Sequence, residues 1–288
     1  MTFVEDEIAS QPECWTVALD QAGSPLLPAP GERVAVVGCG TSWFVAQAYA
    51  ALREAAGLGE TDAFAASEMP ADRPYDRLVA ITRSGTTTEV LELLRQVSTP
   101  TLAITAAGGT PVVDAADETL RLPFADERSV VQTRFATTTL ALLRAHLGED
   151  LTQAIADART AVDAELPALD RAQFTFLGRH WTVGLANEAA LKMREASLSW
   201  SESYPAMEYR HGPISIADTR SLVWMLGSAP EGLREDVATT GATWVESTLD
   251  PMAELIRAQR VAVAVGQARG LDPDNPRNLT RSVILDPA

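Results

Sequence analysis

The chain reads as an α/β protein in which a parallel sheet is covered by helices on both faces, and in which this arrangement occurs twice. Three observations predict it. Short apolar, β-branched runs alternate with helical patterns. Several of these runs end in glycine followed by hydroxyl residues. After residue 173 the strand–glycine–helix order starts again, as expected of a duplicated unit.

Taken in order, residues 1–30 lack clear periodicity and hold Pro12, Pro25, Pro28 and Pro30, so a short helix around Trp15–Leu19 and then a linker are expected. Arg33–Val37 is a strand ending in Gly38-Cys39-Gly40-Thr41-Ser42, and a helical pattern follows through Phe44, Val45, Ala48, Tyr49 and Leu52. Gly38-x-Gly40 begins like a dinucleotide fingerprint, but Trp43 stands where its third glycine belongs, so the fingerprint fails its own test. Ala63–Ala66, Leu78–Ile81, Thr101–Thr105 and Leu120–Leu122 are further strands. Val130–Leu147 and Leu151–Leu166 read as helices, the second ended by Pro167. Phe174–Gly178 is then a strand into a helix over Trp181–Ser197, Ser221–Leu226 a strand into Gly227-Ser228, Thr243–Val245 a third strand, and Met252–Arg269 a long helix. The expected organisation is an N-terminal segment 1–30, a first unit 31–168, and a second unit 169–288 that includes a C-terminal tail.

The stretch Thr82-Arg83-Ser84-Gly85-Thr86-Thr87-Thr88-Glu89 stands between a strand and a helical pattern. Five of the seven residues Thr82–Thr88 carry a hydroxyl, and Thr86 and Glu89 have capping-box spacing. Free N–H groups and the positive end of the helix dipole favour an anion at such a turn. These residues fit a phosphate cradle, and they also fit an ordinary capped helix.

Composition narrows the partners. The 288 residues carry 23 basic and 39 acidic side chains, a net charge of −16, which argues against nucleic acid or an anionic membrane surface but leaves room for a local anion site. No apolar run approaches the ~20 residues that span a bilayer. The acidic N-terminus lacks a secretory signal, so a cytoplasmic protein is expected. Cys14 and Cys39 support neither a disulfide framework nor a zinc site, and His146, His180 and His211 are too widely spaced for a metal cluster.

Lys192 is the chain's single lysine beside 22 arginines. Glu188, Lys192 and Glu195 are four and three residues apart, on one helix face. They fit a surface ion-pair ladder; with His211 in the turn-rich segment that follows, they also fit a proton-transfer set. The tail Leu271–Val283 is rich in turn formers and reads as a segment packed back over the body.

With these blocks in order, the sequence resembles the sugar isomerase (SIS) superfamily, and most closely the isomerase half of glutamine:fructose-6-phosphate amidotransferase with the related amino-sugar-phosphate deaminases and deglycases. Gly38–Ser42, Thr82–Thr87, Leu191–Glu195 through His211-Gly212-Pro213, and Asp274–Leu279 carry the resemblance, which spans the chain from about residue 31. It implies two tandem SIS domains, each a flavodoxin-like parallel sheet with helices on both faces, in a homodimer whose sites take the histidine from the neighbouring subunit. It implies that Ser84 and Thr87, with Thr82, Arg83 and their amides, hold a phosphate, and that Thr41 and Ser42 touch phosphate or sugar hydroxyls. Glu195 matches the base that moves a proton between C1 and C2, Lys192 the lysine that supports it, and His211 the residue that assists ring opening. In the loop Glu127–Thr133, Val130 offers backbone and Gln132 replaces a serine.

Two departures from the pattern stand out. About 30 residues precede the first strand, so no glutaminase domain is expected within the chain. The tail lysine that forms an imine in the amidotransferase is Arg281 here, and arginine stays protonated. The expectation is an enzyme acting on a hexose or hexosamine 6-phosphate as an isomerase or deaminase, with no metal or organic cofactor. The alternatives are a non-catalytic sugar-phosphate sensor and, third, a dinucleotide-dependent enzyme.

Overall fold

The computed structural model describes residues 2–167 and 169–285; the expected unit boundary at residue 168 lies outside them. The N-terminal segment is more than a short helix and a linker. It holds α1 (Phe3–Ala9) and α2 (Gln11–Ala18), and Val4, Ile8 and Trp15 are buried in the main core. Helices this short are held by tertiary burial rather than by propensity, which is why periodicity does not reveal them. A capping box between Thr2 and Glu5 starts α1.

The first sheet and its cover are β1 (Val34–Gly38), α3 (Thr41–Ala55), β2 (Thr61–Ala65), β3 (Arg77–Ile81), α4 (Thr88–Gln96), β4 (Thr101–Thr105), α5 (Val112–Ala115) and β5 (Glu118–Arg121). Its five strands are parallel in the order β2-β1-β3-β4-β5, with Val34 opposite Thr61 on one side and Arg77 on the other. Next come α6 (Arg134–His146) and α7 (Thr152–Asp163). The second sheet uses β6 (Gln173–Gly178), α8 (Thr182–Ser197), β7 (Trp200–Pro205), β8 (Ser221–Met225), α9 (Leu233–Thr239) and β9 (Thr243–Val245), closed by α10 (Pro251–Ala268). Its four parallel strands run β7-β6-β8-β9, the winding of the first sheet one strand short. Strands β1, β4 and β8 are buried along their whole length, as parallel strands covered on both faces must be. Winding reverses between β1 and β3, and ligands bind such sheets in the crevice beyond the strand ends at the reversal.

Helices α3 and α8 pack between the sheets, so Val36, Ala46, Ala189 and Phe176 belong to one continuous core. A Cβ on Gly184 of α8 would stand 2.5 Å from the Phe44 carbonyl oxygen, so glycine permits this close crossing. It brings the C-terminal turns of α8 toward the strand ends of the other sheet.

Two local expectations need correction, and two elements go unforeseen. The Thr86–Glu89 capping box does not form: α4 starts at Thr88 with Thr87 as its N-cap, and no side chain caps it. The Thr86 hydroxyl instead bonds Ser84 Oγ at 3.0 Å and Ser282 Oγ at 2.9 Å. The helix expected from Val130 begins at Arg134, because the amides of Thr133 and Arg134 donate to the Glu127 carboxylate and residues before them form a loop. Strand β7 and helix α9 arise in segments too polar or too short to read as elements. Among the described residues no helix is long and apolar enough to cross a membrane.

Candidate functional site

The strand ends of β1 and β3 open into a cleft of about 190 Å³. Thr41 and Ser42, in the first turn of α3, form one wall, and the β3–α4 turn with Thr82, Arg83, Ser84 and Thr87 forms the next. Val130 and Gln132 come from the loop before α6, Glu195 from α8, and Arg281 from the tail. Ten residues singled out from the sequence thus meet in one place.

The β3–α4 turn is shaped by Gly85, whose φ of +66° suits glycine. Its backbone is pinned by Thr82 N–H to the Ile104 carbonyl at 3.0 Å and by Val112 N–H to the Gly85 carbonyl at 3.1 Å. Gly85 N–H donates to Thr82 Oγ1 at 3.3 Å, and Thr86 N–H to Ser84 Oγ at 3.2 Å. Among the described residues, the amides of Ser84 and Thr87 have no hydrogen-bond acceptor. They stand at the positive end of α4, whose Thr88 amide is taken at 3.1 Å by the Val283 carbonyl of the tail.

Behind the cleft lies the charged face of α8. Lys192 is 1% exposed; its ammonium donates to Glu195 Oε2 at 2.5 Å and to Thr41 Oγ1 at 2.9 Å, with Glu188 Oε1 at 3.4 Å. Glu188 is fully buried, and among the described residues neither of its oxygens has a well-formed hydrogen bond. Burial pushes its carboxyl up to about 8; Lys192 pulls it down, and the neighbouring Glu195 pushes it further up. The lysine stays charged: burial opposes it, but the two glutamates raise its pKa. The arrangement is a buried ammonium that orients one carboxylate at the cleft wall, with a second acid behind it. The surface ion-pair ladder is therefore ruled out. The Thr41 hydroxyl oxygen, expected at the ligand, serves Lys192 and joins α3 to α8.

Arg83 was expected at the phosphate, but its guanidinium is committed to protein oxygens. It donates to Ser129 O at 3.2 Å, Val130 O at 3.3 Å and Arg281 O at 2.9 Å, with the Glu127 carboxylate at 3.5 Å. Buried at 5% exposure, it braces the loop and tail around the cleft. The Arg281 guanidinium turns to the Glu127 carbonyl and to Asp126 Oδ1, the latter at 2.5 Å, and so fastens the tail to the same loop. Gln132 Nε2 is buried without a partner among the described residues, an unused donor at the cleft.

His211 does not line this cleft. It is exposed on the turn Glu208–His211, beyond β7. Sequence reasoning assigned no role to Glu127, whose buried carboxylate receives Thr133 N–H at 2.6 Å, Thr133 Oγ1 at 2.9 Å and Arg134 N–H at 2.8 Å. Its place ahead of the Val130–Gln132 loop was the only available signal.

Residues 29–147 match the SIS domain family model. The glutamine–fructose-6-phosphate aminotransferase of Halobacterium salinarum is 31% identical over 268 residues, 74% of this chain and 45% of its own length. That of Methanosarcina acetivorans is 28% identical over 315 residues, covering 88% of this chain and 51% of its own. The chain thus spans about half the length of the curated relatives it matches. Among solved structures, a glucosamine-6-phosphate deaminase from Thermotoga maritima superposes with a TM-score of 0.79 at 24% identity, covering 98% of both chains. A tagatose-6-phosphate ketose/aldose isomerase from Escherichia coli gives 0.75 at 20% identity, covering 99% of this chain and 97% of its own. The chain carries a SIS domain over residues 29–147 and resembles the isomerase part of the glutamine–fructose-6-phosphate aminotransferases over most of its length.

Proposed function

We propose that this chain is a phosphosugar enzyme built of two tandem SIS units, each sheet with its helices forming one. It acts on a hexose or hexosamine 6-phosphate, as an aldose–ketose isomerase or an amino-sugar-phosphate deaminase. One observation carries the reading: two unclaimed amides and the hydroxyls of Ser84 and Thr87 lie at the N-terminus of α4, in the same cleft as the Lys192-oriented carboxylate of Glu195. The phosphate anchors at the first group. Glu195 takes the proton from the carbon next to the carbonyl or imine carbon and returns it to the neighbouring carbon, through an enediol or enolamine. Gln132 and the Val130 backbone meet the sugar hydroxyls.

In this reading the cytoplasmic protein works as a homodimer, and His211 of a second copy assists ring opening, which accounts for its exposure in one copy. The repeated strand order supports an internal duplication. A panel of hexose and amino-sugar 6-phosphates, assayed for ketose–aldose exchange and for ammonia release, tests the proposal. With the true substrate, Glu195→Gln lowers turnover about 100-fold or more; full turnover would sink the mechanism. The Arg281 guanidinium, tied to the loop, favours a second reading as a non-catalytic sugar-phosphate sensor. Tight binding of the panel without turnover of any member would select it.

A further inference from the structure

A buried carboxylate outside the machinery described so far sits on α1, in the N-terminal segment where no periodicity predicts an element. Glu7 is 3% exposed. Its Oε1 accepts from the amides of Arg128 at 2.5 Å and Ser129 at 3.2 Å, and its Oε2 accepts from the Ser129 hydroxyl. Several donors converging on one buried carboxylate make a strong tie. It is one of four among this helix, the loop and the tail. The Asp274 carboxylate receives the Phe3 and Val4 amides at 2.8 Å each, and the Asp274 carbonyl accepts from the Val130 amide at 3.2 Å. The Arg128 guanidinium lies 3.7 Å from the Phe3 ring centre. Helix α1, the loop Glu127–Thr133 and the tail therefore close a circuit. Val130 and Gln132, held within it, line the cleft.

The phosphate end of the cleft meets this circuit through Arg83, the Thr86 hydroxyl and the Thr88 amide, but its turn has backbone supports of its own. The backbone of the β3–α4 turn is pinned to β4 and α5 through Ile104 and Val112. The two ends of the cleft can then be perturbed separately.

We propose that Glu7 is a positioning residue for the sugar end of the cleft: it sets the loop so that the Val130 backbone and the Gln132 amide meet the sugar, while the β3–α4 turn sets the phosphate. The proposal rests on the sugar-phosphate reading above. Glutamine would keep an oxygen for the two amides and could donate to the Ser129 hydroxyl, whereas alanine at position 7 removes every acceptor and leaves the Arg128 and Ser129 amides unpaired, so the loop would lose its register.

The test is calorimetric titration of fructose 6-phosphate and of inorganic phosphate into the full wild-type chain, Glu7→Ala and Asp274→Ala, with thermal melts as the check on folding. In each variant the affinity for fructose 6-phosphate falls about tenfold or more, while that for inorganic phosphate stays within about twofold. Asp274→Ala reaches the same loop from the other end of α1, so it decides the matter if Glu7→Ala does not fold. Unchanged fructose 6-phosphate affinity in folded Glu7→Ala overturns the proposal, and so does an equal loss of both ligands. A wild-type chain that binds neither ligand overturns the sugar-phosphate reading itself, and this inference with it.

Discussion

Replacing Glu188 by glutamine should remove a pH dependence that the wild-type protein carries in its stability. The carboxyl is fully buried, and burial lifts it from 4.5 to about 8 against the pull of Lys192. Between those values the folded chain holds a proton that the unfolded chain releases. Stability is therefore highest below the unfolded value and falls as pH rises toward the folded one; above it the full penalty is present. A difference of about 3.5 units corresponds to ~5 kcal/mol over the whole span. Between about pH 5.5 and pH 8 the loss is roughly 3 kcal/mol. Glutamine is neutral throughout, so Glu188→Gln lacks this loss. Urea unfolding of both proteins at about pH 5.5, 7 and 8 measures it as the pH dependence of their difference in ΔG, with m-values confirming comparable unfolding. The variant should gain on the wild type as pH rises. Parallel curves would refute the reasoning, since Glu188 would then be ionised in its buried site at no cost.

Other substitutions test the cradle and the frame around it. Ser84→Ala removes a hydroxyl from the turn and should weaken inorganic phosphate binding about tenfold by calorimetry; unchanged affinity would place the anion elsewhere. Gly85→Ala forces a residue with a Cβ to φ +66° and sets that Cβ 2.2 Å from Thr110 Oγ1 and 2.8 Å from Val112 Cγ1. It should cost about 1–3 kcal/mol in urea unfolding and lower phosphate affinity as the turn shifts. Arg53 is fully buried and donates to Ala29 O at 2.7 Å, Thr61 Oγ1 at 2.8 Å, Glu32 O at 3.0 Å and Gly59 O at 3.2 Å. Arg53→Met orphans these acceptors and should lower stability by about 3–5 kcal/mol, read as a large drop in Tm.

Much of this protein is legible in one dimension because its signals are local. An apolar run that enters Gly38 or Thr82 and leaves as a helical pattern defines a strand, a turn and a helix within about a dozen residues. The ends of parallel strands all lie on one side of a sheet, so two such turns at once imply one cleft. The spacing of Glu188, Lys192 and Glu195 needs only the helix period. The two turns bring Thr41, Ser42, Thr82, Arg83, Ser84 and Thr87 to one cleft, whereas Val130, Gln132, Glu195 and Arg281 are joined to them only through the resemblance to the SIS superfamily.

What the chain does with its charges was decided in three dimensions. Arg83 looks like a free phosphate ligand in the sequence; folding surrounds it with three carbonyls and a carboxylate from a loop over forty residues away and from the tail. The Thr86–Glu89 capping box is a sound local pattern, yet the tail reaches the start of α4 first and takes the Thr88 amide. Glu7 carries no local mark at all, because its partners, Arg128 and Ser129, are more than a hundred residues distant. Local sequence sets backbone periodicity, which depends on neighbours a few residues apart. Which donor meets which acceptor depends on chain segments brought together by burial of a shared core, and only the folded structure supplies that pairing.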